Sequence, residues 1–176
     1  MNKNLIYWQV AGFIFVCISG VILHFLYDFT NQNVLVVLFS PVNESIWEHL
    51  KLLFFPMIVF AFVEKRYIKI ECKRFFCAKF FGIILGLSLI PVMYYTINGV
   101  FGTTPDWVNI AIFFIVTAIS FFSETKLLKS EYISCDSSAI ILLIAIVVLF
   151  VVWTFDPPRI PLFEDPITKS YGIDKE

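Results

Sequence analysis

Five apolar runs, each long enough to cross a hydrocarbon layer, are separated by short charged, glycine-bearing or proline-bearing segments in a chain of 176 residues. A hydrocarbon core of ~30 Å needs about 20 helical residues at ~1.5 Å each. The runs are read at residues 5–26, 46–63, 80–97, 107–122 and 138–155. Lipid offers backbone N–H and C=O groups no water partner, so each run must close its own hydrogen bonds as a helix. The expected fold class is therefore all-α: a polytopic transmembrane helix bundle of about five spans over residues 1–155. An extracytoplasmic, extended C-terminal tail over 156–176 is expected to pack on it. The hydrophobic share of 59% and mean hydropathy of +0.85 agree, because a soluble domain of this size has no core large enough for so much apolar side chain. The lipid bilayer is thus the implied partner. A net charge of -1 excludes the basic stripe of a nucleic-acid binder. The first run has only Lys3 before it and no small-residue cleavage site after a short apolar core, so it reads as a retained helix.

Local chemistry sets the expected boundaries. Thr104-Pro105-Asp106 supplies a cap, a first-turn proline and an acid at the positive end of the helix dipole, marking the start of the fourth helix. Asn98-Gly99 before it reads as a turn, Asp136-Ser137-Ser138 as a cap for the fifth helix, and Asp156-Pro157-Pro158 as its stop. Pro56 and Pro91 fall within the second and third spans and are expected to kink them. Ala78, Gly82 and Gly86 recur every fourth residue, a small-residue stripe that lets helices approach closely, within this chain or in self-association.

Lys and Arg distribute unequally: nine of the 13 fall on one side of the five-span arrangement and four on the other. The positive-inside rule then puts the N-terminus in the cytoplasm of a cell-membrane protein and the C-terminus outside. Cys17 lies in an apolar run, and Cys72, Cys77 and Cys135 lie in segments expected to be cytoplasmic, so no disulfide is expected. The Cys72/Cys77 pair has no further Cys or His nearby and is read as structural.

Ionisable residues at membrane depth mark candidate sites because lipid makes them costly. His24 and Asp28 sit four apart near the outer end of the first helix, on one face. Asn43, Glu44, Glu48, His49 and Lys51 gather at the entry of the second. Between them, residues 33–41 form an apolar stretch too short to span, read as a shallow re-entrant segment broken at Pro41. Ser45-x-x-Glu48 is a capping box and Glu48 to Lys51 a helical ion-pair spacing, which alone would account for Glu48. A helix starting at Pro41 would instead align Glu44, Glu48 and Lys51 and turn His49 away.

Three functional readings compete with that local account. A divalent metal such as zinc is the implied cofactor of a site made of His24 with Glu44, Glu48 or His49, leaving one position open for water. Ser45 and His49 have the spacing of a nucleophile and base, without a glycine-rich elbow. A proton or cation path would run through His24, Asp28 and Glu44, although the inner halves of the spans offer almost no polar side chain to continue it. A structural or assembly role leads, with a metal-dependent membrane hydrolase and a small cation or proton transporter as alternatives. The sequence leaves open whether the chain is an enzyme and names no soluble partner.

The tail is too proline-rich for a helix and too apolar for a solvated linker, so it is expected to pack over the outer mouth of the bundle. Arg159, pairing with an outer acid, and Asp165 would make it a lid or a plug. Nine of the 14 acids fall on that side, which favours a cationic ligand or metal. The run Ser40-Pro41-Val42-Asn43-Glu44-Ser45-Ile46-Trp47-Glu48-His49-Leu50-Lys51, with 24–28 before it and 158–172 after it, resembles an uncharacterised family of small bacterial membrane proteins. The resemblance covers most of the chain and implies the membrane class, with no activity and no catalytic residues attached.

Overall fold

A computed structural model describes residues 3–130, 133, 135 and 137–173. Five helices follow in order: α1 (Lys3–Phe29), α2 (Ile46–Tyr67), α3 (Cys72–Phe101), α4 (Asp106–Lys129) and α5 (Ser138–Phe155). All five are long and apolar enough to cross a membrane, giving a multi-pass, all-helical architecture. Among the described residues the only extended pairing is an isolated bridge between Glu164 and Tyr171. Successive helices alternate in direction. One end of the bundle, here the histidine end, gathers the close of α1, the start of α2, the close of α5 and the tail. The opposite, cationic end carries Lys65, Arg66, Lys69, Arg74, Lys126 and Lys129.

The central element is α2, whose most apolar window is 67% buried against 17% for α1 and 22% for α5. It packs against α1, α3 and α5. Leu53, Phe54 and Met57 of α2 meet Val16, Ile83, Val116 and Phe150 from the other four helices, all at 1% exposure or less. Large side chains such as Ile18, Phe62, Val92, Ile115 and Ile144 point outward, where a soluble protein would place polar ones.

Three helices run past the apolar segments that reveal them. Lys, Arg and Glu are good helix formers, so hydropathy marks the lipid-matched part of a helix and not its ends. The turn expected at Asn98-Gly99 is still helical. The Asn98 amide donates to Tyr94 O and its oxygen accepts from Thr104, so α3 continues to Phe101 and turns at Gly102, whose φ of 79° favours glycine. Thr104 is therefore engaged elsewhere, and Pro105 stands at the N-cap of α4. Pro56 and Pro91 lie inside α2 and α3 without ending them. Ser137 caps α5 without a side-chain bond, and Asp136 lies outside the described residues.

The small-residue stripe is used within the chain: Ala78 is fully buried, Gly82 lies against Glu124, and Gly86 against Leu53 and Ser120. The cysteine expectation is corrected. Cys77 and Cys135 form a disulfide with Cα atoms 5.3 Å apart, while Cys17 and Cys72 are free. Folding brings the early turns of α3 beneath the connection from α4 to α5, a proximity invisible in the spacing of the four cysteines.

Candidate functional site

The site is built around the start of α2. Ser45, extended at φ -67° and ψ 150°, caps the helix by accepting from Glu48 N at 3.3 Å. This selects the capping register over a helix beginning at Pro41. Only half of the box forms, because Ser45 N donates to Asn43 Oδ1 and the Glu48 carboxylate turns inward. Glu48 Oε2 accepts from Lys51 Nζ at 2.6 Å and from Val42 N at 3.1 Å, and Oε1 accepts from Thr154 at 2.9 Å.

Lys51 is 0% exposed and Glu48 1%. The Lys51 ammonium also donates to Val37 O at 3.0 Å and reaches Ser40 O at 3.4 Å. Ser40 in turn donates its hydroxyl to Leu23 O on α1 at 2.5 Å. Around a short 3-10 turn, Val36–Leu38, with Val36 and Val37 buried, the segment 33–41 packs against α1 and α5 and is tied to α2 through Lys51. Glu48 is committed to this internal network and is not free to serve as the metal ligand proposed from sequence.

Register also decides what the neighbouring residues do. His49 Nδ1 lies 2.9 Å from Ser45 O. A carbonyl only accepts, so Nδ1 carries a proton, and Nε2 presents a lone pair in the neutral ring and an N–H to Glu44 in the protonated one. Nε2 is 3.4 Å from Glu44 Oε2. His24 reaches in from α1, its ring centroid 5.1 Å from that of His49, and its Nδ1 is buried without a partner. One ligating atom each from His24, Glu44 and His49 lies within 4.8 Å of the others. Tetrahedral zinc, with bonds near 2 Å, holds its ligand atoms about 3.3 Å apart, so the three side chains would draw together on binding. The side chain of His49 is 29% exposed and that of Glu44 47%, so water reaches the cluster. The hydrogen bond from His49 holds the Glu44 carboxyl below its ordinary value, with nearby imidazoles acting in the same direction against partial burial.

The other sequence candidates have different work. Asp28 is exposed, one turn beyond His24. Asn43 holds the tail by donating to Gly172 O at 2.9 Å. Ser45 Oγ faces the helix backbone and not His49, so no nucleophile dyad exists. Arg159 is exposed and pairs with no acid among the described residues. Asp165 is 4% exposed: Oδ2 accepts from Glu44 N at 3.1 Å and Oδ1 from Ile167 N and Thr168 N. Burial pushes its carboxyl up, and these backbone donors more than reverse that, leaving it below the usual value. Phe163 inserts 4.8 Å from the Trp47 ring and 5.4 Å from Trp153, and Trp47 N donates to Leu162 O. The tail is thus a fixed cover over the α2 entry, and its Asp165 orients the backbone of the Glu44 ligand candidate.

On the outer face between α1 and α2, an open apolar groove of about 370 Å³ is lined by Leu23, Phe39, Phe55, Pro56 and their neighbours. A second polar cluster escaped the sequence reading. Gln9, Glu64, Lys79 and Glu124, from four different helices, meet at 4% exposure or less near the cationic end, correcting the expectation of inner halves without polar side chains. Along α2, Glu48 and Glu64 are 16 positions apart, about 24 Å of helix, with an apolar stretch from Leu52 to Val63 between them.

No curated protein and no solved structure matches the chain. A family model described as a family of unknown function, DUF6512, matches residues 1–173. With five membrane-length helices and a match over nearly its whole length, the chain belongs to the DUF6512 family of unknown function.

Proposed function

We propose that this membrane protein binds a divalent transition metal of the zinc class through His24, Glu44 and His49. The proposed role is metal-dependent hydrolysis at the membrane surface. The observation carrying this reading is the convergence of three ligating atoms from three segments within 4.8 Å. Two features support it. The hydrogen bond to Ser45 O fixes the His49 tautomer that ligates through Nε2, the device that orients metal-bound imidazoles. The buried His24 Nδ1 has no hydrogen-bond partner, so that imidazole nitrogen has no hydrogen bond to give up.

Three protein ligands and access to water leave a fourth position open, the arrangement of catalytic zinc sites and not of closed structural ones. A bound divalent ion would there lower the pKa of its water toward neutrality and polarise a carbonyl or phosphoryl oxygen. A structural role is met separately by Glu48, Lys51 and Thr154, which leaves the histidine pair unexplained by folding. The apolar groove at Leu23, next to His24 in the chain, favours an amphiphilic substrate, its apolar chain between α1 and α2 and its polar linkage at the metal. The proposed orientation, with the histidine end outside, follows the Lys and Arg count.

Cobalt substitution tests this. Co(II) added to the purified, metal-stripped protein should give the intense visible absorption of a four-coordinate site, lost in His24→Ala and His49→Ala and kept in Glu48→Gln. A spectrum indifferent to both histidines would refute the ligand set. Chelator-insensitive hydrolysis of acyl or phosphoryl model esters would refute the metal's role in the chemistry.

A further inference from the structure

The cluster at the cationic end has a charge problem that the histidine end does not. Lys79 Nζ lies 2.6 Å from Glu64 Oε2 and 2.5 Å from Glu124 Oε2. Glu64 and Glu124 are 0% exposed and Lys79 1%. Gln9 donates its amide to Glu64 Oε1 at 2.6 Å, and Thr125 reaches Gln9 Oε1 at 3.4 Å. The rings of Phe75 and Phe121 flank the ammonium at 5.5 and 5.3 Å. Two carboxyl groups thus face a single cation, and α5 adds no charged residue among those described. Glu64 Oε1 accepts from Gln9 and its Oε2 is engaged only by the charge of Lys79, without a hydrogen bond, whereas Glu124 Oε1 is buried with neither a hydrogen bond nor a cation, held against Gly82.

We propose that Glu64, Lys79 and Glu124 form a proton-binding site, with Glu124 the carboxyl that takes and releases the proton. One ammonium neutralises one carboxylate; a second, unsolvated carboxylate beside the first is disfavoured by desolvation and like charge together. A proton on Glu124 Oε1 removes the imbalance without any movement of the helices.

The route for that proton is also built. A cavity of about 480 Å³ at the cationic end is lined by Lys69, Arg74 and Lys129 together with Leu5, Ile68 and Leu128. Leu5 and Leu128 stand four positions from Gln9 and Glu124 on their helices, and Ile68, the C-cap of α2, four positions from Glu64, so about one turn of apolar side chain separates the cavity from the cluster. Leu5, Ile68 and Leu128 belong to a small apolar cluster with Ala61, Phe75 and Ala78. Of the nearby cations, Lys65 donates to Ile70 O, and Lys69, Arg74 and Lys129 lie beyond the apolar partition. This site does not rest on the metal reading, because its residues and those of the histidine end lie at opposite ends of α2.

Infrared difference spectroscopy of the whole protein in liposomes, across neutral pH and in H2O and D2O, tests it through the carbonyl band of a buried carboxylic acid. The wild type should show that band, with an isotope shift. Glu124→Gln and Glu64→Gln should each abolish it, since either leaves one carboxylate for one ammonium; if one fails to fold, the other reads the same stoichiometry. Lys79→Met should increase the band, and Leu128→Ala should speed its exchange in D2O. Absence of the band in wild type, its persistence in either glutamine variant, or its disappearance on adding Na+ at constant pH would overturn the proposal.

Discussion

Replacing Lys51 by methionine keeps the side-chain length and removes the one cation that holds the segment 33–41 to α2. The structure sets the magnitude. Lys51 is 0% exposed, its ammonium is 2.6 Å from Glu48, and it serves the carbonyls of Val37 and Ser40 as well. Removing one partner of a buried ion pair costs about 3–5 kcal/mol because the other charge stays buried. That is about a fifth or more of the ~5–15 kcal/mol that stabilises a typical fold. At about 2–4 °C per kcal/mol for a chain of this size, the midpoint of thermal unfolding should fall by roughly 6–20 °C. Glu48→Gln removes the opposite charge and leaves one oxygen, for either the Thr154 hydroxyl or Val42 N, so Glu48→Gln/Lys51→Met should recover part of the loss. Reversible unfolding in mixed micelles, followed by the fluorescence of Trp47 beside the pair, should give a coupling energy of about 2–3 kcal/mol. Additivity of the two single variants within ~0.5 kcal/mol would refute the buried pair.

The remaining predictions concern other parts of the bundle. Gly82→Ala places a methyl group against the Glu124 side chain, which Lys79 holds in place, and should cost about 1–3 kcal/mol by overpacking in the same unfolding assay; an unchanged midpoint would show that Glu124 is not packed there. Asp165 has a lowered pKa, so its anchoring is fully present above its unfolded value near 3.8 and is lost only as pH falls through the lower folded value. Protease protection of the tail should therefore persist to about pH 4 and fail below it, and Asp165→Asn should expose the tail at neutral pH. The Cys77–Cys135 disulfide closes 58 residues, and its removal in Cys77→Ser/Cys135→Ser should cost about 4 kcal/mol by loop entropy. Alkylation without reductant should label two cysteines in the denatured protein, and labelling of four would contradict the bond. The same disulfide bears on orientation, since a stable one implies an oxidising compartment while the Lys and Arg count places that end in the cytoplasm. A C-terminal alkaline phosphatase fusion should be active if the tail is outside.

How much of this was legible in the sequence depends on which physical term each feature obeys. Spans are set by apolar length, a local quantity, so five helices and the 138–155 boundaries follow directly from hydropathy. Helix ends are not. Glu64, Lys79 and Glu124 lie one or two positions outside the apolar runs 46–63, 80–97 and 107–122, yet α2, α3 and α4 include them and fold them inward as a mutual cluster. Their signal was present in the pairing of Gln9, a polar residue one turn inside α1, with acids and a lysine at matching depths on three other helices. At the histidine end, the spacing of Ser45, Glu48 and Lys51 announced the cap and the ion pair. Only the tertiary structure shows that this pair consumes Glu48 and leaves His49 beside Glu44 and His24. The disulfide follows the same logic, because chain separation says nothing of the contact between early α3 and the α4–α5 connection.

The central claim is a metal held by two imidazoles and one carboxylate from separate segments. Elemental analysis of the purified protein after zinc loading and exhaustive desalting reads it most directly. One zinc per chain is predicted for the wild type and for Glu48→Gln, with near-complete loss in His24→Ala, Glu44→Ala and His49→Ala. Retention of zinc when all three ligands are replaced, or its absence from the wild type, would contradict it.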